Sequence, residues 1–150
     1  MFRGRYQLTI DPKGRLSIPA KFRDVLRNDF EGKVIVVPHT ADACLEVHPL
    51  AEWERKEEDF RARQLLDSEK RKASRLYFSR ARDLTLDGAG RILIPPDVRE
   101  QAALSRDVVI VAGGERFFEV WDRARLQEFE LSNRHELQAV LDRVSGGGGT

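Results

Sequence analysis

Hydrophobic and polar positions along this chain follow one pattern that occurs twice. Apolar runs at Tyr6–Ile10 and Leu16–Ile18 flank a polar turn, and a helical pattern, Ala20–Leu26, follows a proline that favours a helix start. Runs of strand length come next, at Lys33–Pro38 and Cys44–His48. The second half repeats this order, with strands, one helix and a hairpin at Arg91–Ile94, Pro95–Ala103, Asp107–Ala112 and Arg116–Trp121.

The repeat is clearest at the turn. The segment 8–19, LTIDPKGRLSIP, returns at 84–95 as LTLDGAGRILIP, with seven of the twelve positions identical. Such a repeat divides the 150 residues into two related units, each too small to close a core alone. We therefore predict similar domains over 5–51 and 80–123.

Helical patterns fill the rest of the chain. The charged connector, 52–79, is predicted to form two helices, because Ser68 followed by Glu69 is typical of a helix start. Apolar positions at helical spacing predict a C-terminal helix over 124–145, which suits packing on a barrel or against another subunit. The segment 146–150 is glycine-rich and is predicted to be a flexible tail. The fold class is therefore α+β.

Charge is unevenly distributed along the chain. The formal net charge is only +1, yet residues 1–23 contain six basic side chains against one acidic side chain. A local positive field attracts a polyanion even when the whole protein is nearly neutral. The sequence therefore predicts a DNA-binding surface around the first turn, formed by Arg3, Arg5, Lys13, Arg15, Lys21 and Arg23.

Two residue types in each turn have a structural explanation. Asp11 and Asp87 are predicted to accept hydrogen bonds from backbone N–H groups of their own turns. Gly14 and Gly90 are predicted to supply the positive φ that a tight turn needs. These four residues are assigned a role in the turn's structure.

The arginine of each turn has two interpretations. It can pair with an aspartate, or it can present its planar guanidinium to phosphate or to a guanine edge. Ligand binding is favoured for Arg15, because Lys13 lies beside it. For Arg91, in a neutral Gly-Ala-Gly turn, both interpretations are equally supported.

These motifs resemble the MraZ family of bacterial transcriptional regulators. The resemblance is carried by Met1–Arg5, Asp11–Ala20, Asp87–Pro95 and Phe117–Trp121 and extends to about Leu141. It implies two AbrB-like halves that form one swapped-hairpin β-barrel with a pseudo-two-fold axis and flanking helices. It further implies ring-like homo-oligomers that bind repeated DNA boxes before the division and cell-wall gene cluster, usually as a repressor.

The resemblance also implies that both turns face DNA, which assigns Asp11, Arg15, Asp87 and Arg91 to that surface. Base reading is expected from Arg15 and Lys13, while the remaining basic residues of segment 1–23 mostly contact the DNA backbone. Because the second turn lacks a lysine, we expect it to bind DNA less strongly than the first.

The expected partners are duplex DNA with repeated boxes and further copies of this chain. No cofactor, metal site, membrane contact or small-molecule substrate is expected. The chain has no apolar run long enough to span a bilayer and no basic and apolar leader, so the expected location is the cytoplasm, at the nucleoid.

Three alternatives stay open. An enzyme could pair the carboxylates of Asp11 and Asp87 as aspartic proteases do, although neither is followed by Thr-Gly or Ser-Gly. An AbrB-like antitoxin would bind DNA and cover a toxin with a disordered C-terminal arm, whereas this C-terminal segment is patterned as a helix. A nonspecific nucleoid-associated or purely structural ring is the third.

Overall fold

The chain forms an α+β fold, as predicted, in a computed structural model that describes residues 1–147. The helix at the C-terminus extends two residues into the predicted flexible tail, and residues 148–150 of that tail lie outside the described residues. In chain order the elements are β1 (Arg3–Thr9), β2 (Arg15–Ser17), α1 (Ala20–Phe30), β3 (Lys33–Pro38), β4 (Cys44–Pro49), α2 (Leu50–Ala62), α3 (Asp67–Leu76), a 3-10 turn (Phe78–Arg80), β5 (Arg82–Thr85), β6 (Arg91–Leu93), α4 (Pro96–Gln101), β7 (Asp107–Gly113), β8 (Phe118–Asp122) and α5 (Arg123–Gly147).

Six of the strands form one antiparallel sheet in the order β1-β7-β8-β4-β3-β5, and β2 pairs with β6 in a separate two-stranded ribbon. The sheet is open, with β1 and β5 at its edges. A closed barrel, which the resemblance implied, is not what these pairings show. The physical reason is that β2 and β6 use their backbone groups on each other, so hydrogen bonds do not connect one sheet edge to the other.

The two halves exchange strands throughout the sheet. The first strand of the first half, β1, pairs with β7 of the second half, and β5 of the second half pairs with β3 of the first. At the centre, β4 pairs with β8, again across the halves. Neither half can therefore complete the sheet without the other, which explains why each unit is small.

The core lies between the ribbon, the sheet and the helix α1. Leu16 and Ile92, the central residues of the ribbon, are both fully buried. An aromatic group packs beside them, with the rings of Phe2 and Phe118 5.2 Å apart and those of Phe2 and Phe22 5.0 Å apart. Burial of such side chains stabilises the fold by roughly 1.5–3 kcal/mol each, so this core fixes the ribbon firmly.

A buried polar network attaches the helices α2 and α3 to the sheet. The hydroxyl of Tyr77 donates to Glu46 Oε1 at 2.6 Å, and Lys56 Nζ donates to the same hydroxyl at 2.8 Å. His48 Nε2 lies 3.3 Å from the same Glu46 oxygen. His48 therefore belongs to a satisfied structural network.

The helix α5 packs on the sheet through its first turns. Leu126 is buried, and the ring of Phe129 lies 5.0 Å from that of Trp121. Within residues 1–147, none of the helices combines the length and the apolar character needed to cross a bilayer. Farther along α5, large apolar side chains are exposed at helical spacing, namely Leu137, Val140, Leu141 and Val144.

Candidate nucleic-acid interface

The first turn is held closed by the carboxylate of Asp11. Its Oδ1 accepts the backbone N–H groups of Lys13 and Arg15, both at 2.9 Å, and its carbonyl oxygen accepts the N–H of Gly14 at 2.9 Å. Gly14 has a φ of 89°, which L side chains rarely adopt. The Nε of Arg15 donates to Asp11 Oδ2 at 2.6 Å, so the arginine is fixed to its own turn.

The second turn repeats this arrangement almost atom for atom. Asp87 Oδ1 accepts the N–H groups of Ala89 and Arg91 at 2.9 Å, and its Oδ2 accepts Arg91 Nε at 2.9 Å. Gly90 has a φ of 79°. Both arginines therefore form the ion pair of the structural interpretation, and both keep the outer end of the guanidinium available for a ligand.

The two aspartates are not arranged as a paired-carboxylate site. The N–H of Arg15 lowers the pKa of Asp11, and the N–H of Arg91 lowers that of Asp87. The two turns are attached at opposite ends of the ribbon, where Gly14 bonds to Ile94 and Gly90 to Ile18. The two turns are therefore separated along the ribbon by four residue steps of roughly 3.3 Å each. A shared proton, which paired catalytic carboxylates need, is therefore not available.

The ribbon formed by β2 and β6 carries both arginines on its outer face. Arg15 lies opposite Leu93, and Arg91 lies opposite Ser17, two residue steps along the ribbon. Because side chains alternate along a strand, these four side chains lie on the face away from the buried centre of the ribbon. A two-stranded antiparallel ribbon fits the major groove of B-DNA.

Arginines from the opposite half support each turn. In the second turn, Arg23 of α1 donates to Ala89 O at 3.3 Å, and Arg27 Nη2 donates to the carbonyl oxygens of Asp87 at 3.0 Å and Gly88 at 3.2 Å. In the first turn, Arg99 of α4 packs closely against Gly14, with its Cζ 3.2 Å from the point that a Cβ would occupy. Each turn is thus contacted by a helix of the other half of the chain.

The basic residues predicted at the first turn lie in three separate places. Arg3 pairs with Gly113 at the far end of β1, six residue steps or roughly 20 Å from Thr9, after which the turn begins. Arg5, also distant, forms an ion pair with Glu130 of α5. Only Lys13, which is exposed, and Arg15 belong to the first turn itself.

The helix α1 begins beside the second turn rather than the first. The N–H of Ile18, just before the helix, donates to Gly90 O at 3.0 Å. Lys21 is exposed in the first turn of α1, and Arg23 contacts the second motif directly. Sequence proximity therefore assigned Arg23 to the wrong turn, because the strand exchange carries the start of α1 across to the other half.

Arg27 and Arg99 were missed by the sequence analysis. Both lie on helices that follow a turn. Arg27 is eight residues beyond Pro19, and Arg99 is four residues beyond Pro95. The repeat contains a signal for one of them, since Arg99 and Arg23 occupy equivalent positions 76 residues apart. Arg27 has no such equivalent, and only the fold shows its contacts.

Comparison with known proteins identifies relatives along nearly the whole chain. A family model described as "MraZ protein, putative antitoxin-like" matches residues 1–76 and again residues 77–144. A protein of Heliobacterium modesticaldum named Transcriptional regulator MraZ is 43% identical over 144 residues, which cover 96% of each chain. Proteins of the same name from Thioalkalivibrio sulfidiphilus and Pseudomonas putida are 42% and 43% identical, covering 97% and 81% of this chain and 99% and 80% of theirs.

Proposed function

This chain belongs to the MraZ family, and from that premise we propose that it is a sequence-specific, DNA-binding transcriptional regulator. Its target is the division and cell-wall gene cluster, including its own promoter, where it acts as a repressor in the cytoplasm, at the nucleoid. The observation that supports this best is the pair of rigid turns, each presenting an arginine at one end of an outward-facing ribbon.

The mode of binding follows from the shape of the ribbon. The outer face of β2 and β6 enters the major groove, and the guanidinium ends of Arg15 and Arg91 bind base edges or phosphates. Because Nε of each arginine is already bound to its aspartate, the side chain loses little rotamer freedom on binding. Lys13 contributes a further cation at the first turn.

A ring of several subunits raises the affinity for DNA above that of a single subunit. One subunit presents only a few cations, and each neutralised phosphate adds about 0.9 to the salt slope, so a single subunit binds weakly. Several subunits on spaced boxes gain avidity on the order of 10²–10⁴. The exposed apolar stripe of α5, from Leu137 to Val144, supports self-association of this kind.

The proposal is tested by titrating the full chain onto a duplex from upstream of its own gene, with a scrambled duplex as control, across a salt series. Specific and steeply salt-dependent binding is expected. Equal, weak affinity for both duplexes would instead indicate a nonspecific nucleoid-associated protein. Absence of binding at every salt concentration would overturn the regulator proposal.

An antitoxin is the second candidate, because the family model that matches this chain is described as antitoxin-like. Such a protein would cover its toxin with an arm that is disordered before binding. Here α5 is one continuous helix from Arg123 to Gly147, which is better suited to contact between subunits. Stoichiometric recovery of one protein with the tagged chain, whose toxicity in cells the chain suppresses, would favour the antitoxin.

A further inference from the structure

The two turns differ in sequence in a way that the fold compensates. Position 89 is alanine where the first turn has Lys13, so the second turn has lost one cation. The opposite difference occurs farther along the repeat, where Arg27 of the first half corresponds to Ala103 of the second. The helix α1 continues to Phe30, whereas α4 ends at Gln101, so only α1 is long enough to present a helical side chain at that position.

The extra turn of α1 places Arg27 directly on the second turn. Its Nη2 donates to two consecutive carbonyl oxygens, of Asp87 and Gly88. Arg23, one helical turn earlier on the same face, donates to the next carbonyl, Ala89 O. Three successive carbonyls of the neutral turn are thus bound by two guanidinium groups.

We propose that Arg23 and Arg27 of α1, together with the second turn, form a phosphodiester-binding site for the backbone of duplex DNA. The inference rests on the proposed function and deepens it by assigning a contact that the turn's own sequence does not provide. The two side chains have two roles. They hold the turn in shape through its carbonyls, and their charge attracts a phosphate to it.

The contacts leave Arg27 able to bind an anion. The side chain is exposed, and within residues 1–147 its Nε and Nη1 donate to no other group. Arg91, fixed in the same turn through its Nε, also keeps its outer nitrogens. Arg91 can therefore bind a phosphate beside this turn bidentately through Nη1 and Nη2, and Arg27 can add a single charge-assisted hydrogen bond from Nε or Nη1.

The result is that cations from both halves of the chain gather at each turn. Lys13, Arg15 and Arg99 gather at the first turn. Arg91, Arg23 and Arg27 gather at the second. We therefore expect the second turn to bind DNA about as strongly as the first, because its cations come from both halves of the chain rather than from its own sequence alone.

The test compares three substitutions of Arg27 in the full chain, using the upstream duplex across a salt series. Arg27→Ala and Arg27→Gln both remove the charge, and glutamine keeps a donor for one carbonyl. Arg27→Lys keeps the charge but cannot donate in the fork geometry of arginine. Arg71→Ala, at an exposed position on α3, is the matched control for loss of one positive charge.

We expect Arg27→Ala and Arg27→Gln to lower affinity about tenfold and to reduce the salt slope by about 0.9 for each subunit on the duplex. Arg27→Lys should keep the wild-type slope, and Arg71→Ala should match wild type. A melting temperature within about 2 °C of wild type shows that the variants are folded. A glutamine variant with an unchanged slope would overturn the phosphate site and leave Arg27 a structural residue.

The two proposals fail in different ways. If the wild-type chain binds neither duplex, the regulator proposal fails and the phosphate site with it. If wild type binds specifically but all three Arg27 variants have its salt slope, only the phosphate site fails. Free phosphate is distinguished from the duplex by competition, since tens of millimolar phosphate should displace the duplex no more than sulfate at equal ionic strength.

Discussion

At the residue scale, the arginine of each turn is both a structural and a ligand-binding group. Its Nε closes an ion pair with the aspartate four residues earlier, while its outer nitrogens donate to no other group within residues 1–147. The side chains of both ion pairs are about one-third exposed, and ion pairs open to solvent contribute little to stability. The stability of the fold therefore depends little on either arginine.

Arg15→Ala and Arg91→Ala should each weaken specific DNA binding by at least about tenfold, because each removes a guanidinium from the outer face of the ribbon. The melting temperature should fall by no more than about 4 °C. Binding and thermal unfolding are measured on the same preparations. A much smaller loss of binding for Arg91→Ala would show that the two turns are unequal.

The aspartates predict a dependence of stability on pH. Backbone N–H groups and the arginine lower the pKa of both Asp11 and Asp87. A lowered folded-state pKa adds stability above the unfolded value of about 3.9, and that stability is lost as pH falls through the folded-state pKa.

We therefore expect the double variant Asp11→Asn, Asp87→Asn to melt lower than wild type at pH 6 but to lose less melting temperature between pH 6 and pH 3. Asp24→Asn, which removes an exposed carboxylate of α1, serves as the control. Equal losses for wild type and the double variant on acidification would argue against this contribution.

At the element scale, the turn, the ribbon and the following helix act as one unit. The glycine of the second turn shows why, since a Cβ at Gly90 would lie 2.1 Å from Arg23 Cδ. Its φ of 79° is also unfavourable for an L side chain. The turn and α1 are thus packed against each other without room for a methyl group.

Gly90→Ala should destabilise the fold by about 1–3 kcal/mol and should displace Arg23 from its carbonyl. Gly88→Ala is the matched control in the same turn, because nothing lies within 4 Å of its Cβ position. We expect the control to change stability by less than about 0.5 kcal/mol. Urea unfolding measures both, and equal stabilities would contradict the packing described for Gly90.

Element identity was largely predictable from the sequence, and element partners were not. Local periodicity and the proline before α1 predicted its start at Ala20, and apolar runs predicted β3 and β4. The strand exchange depends on contacts between residues about 100 positions apart, which local patterns do not encode. This is why Arg23 was placed at the first turn, and why Arg27 was missed.

At the scale of the whole molecule, the two halves are interlocked and one helix extends away from them. Exposed apolar side chains on α5 recur at intervals of three and four residues, from Leu137 to Val144. Leu131 is also exposed but lies off this stripe. The stripe is therefore the part of α5 that the structure offers to another subunit.

Leu141→Glu should reduce the mass of the assembly in solution, because a charge in an apolar contact is costly to bury. Leu131→Glu is the control, because Leu131 is also exposed but lies off the stripe, and it should leave the mass unchanged. Light scattering coupled to size exclusion measures both. A full-sized assembly for Leu141→Glu would rule out the stripe as a subunit contact.

The pairing of β1 with β7 also determines when the chain can fold during its synthesis. Arg3 lies opposite Gly113, so β1 waits for a partner that is synthesised 110 residues later. At a translation rate of about 5–20 residues per second, that wait is roughly 5–20 s. During this time the apolar side of β1, with Phe2, Tyr6 and Leu8, has no native surface to cover it. Nascent chains on one messenger can then exchange strands with each other. The fold that interlocks two halves within a chain therefore makes early synthesis the step at which strands are most easily mispaired.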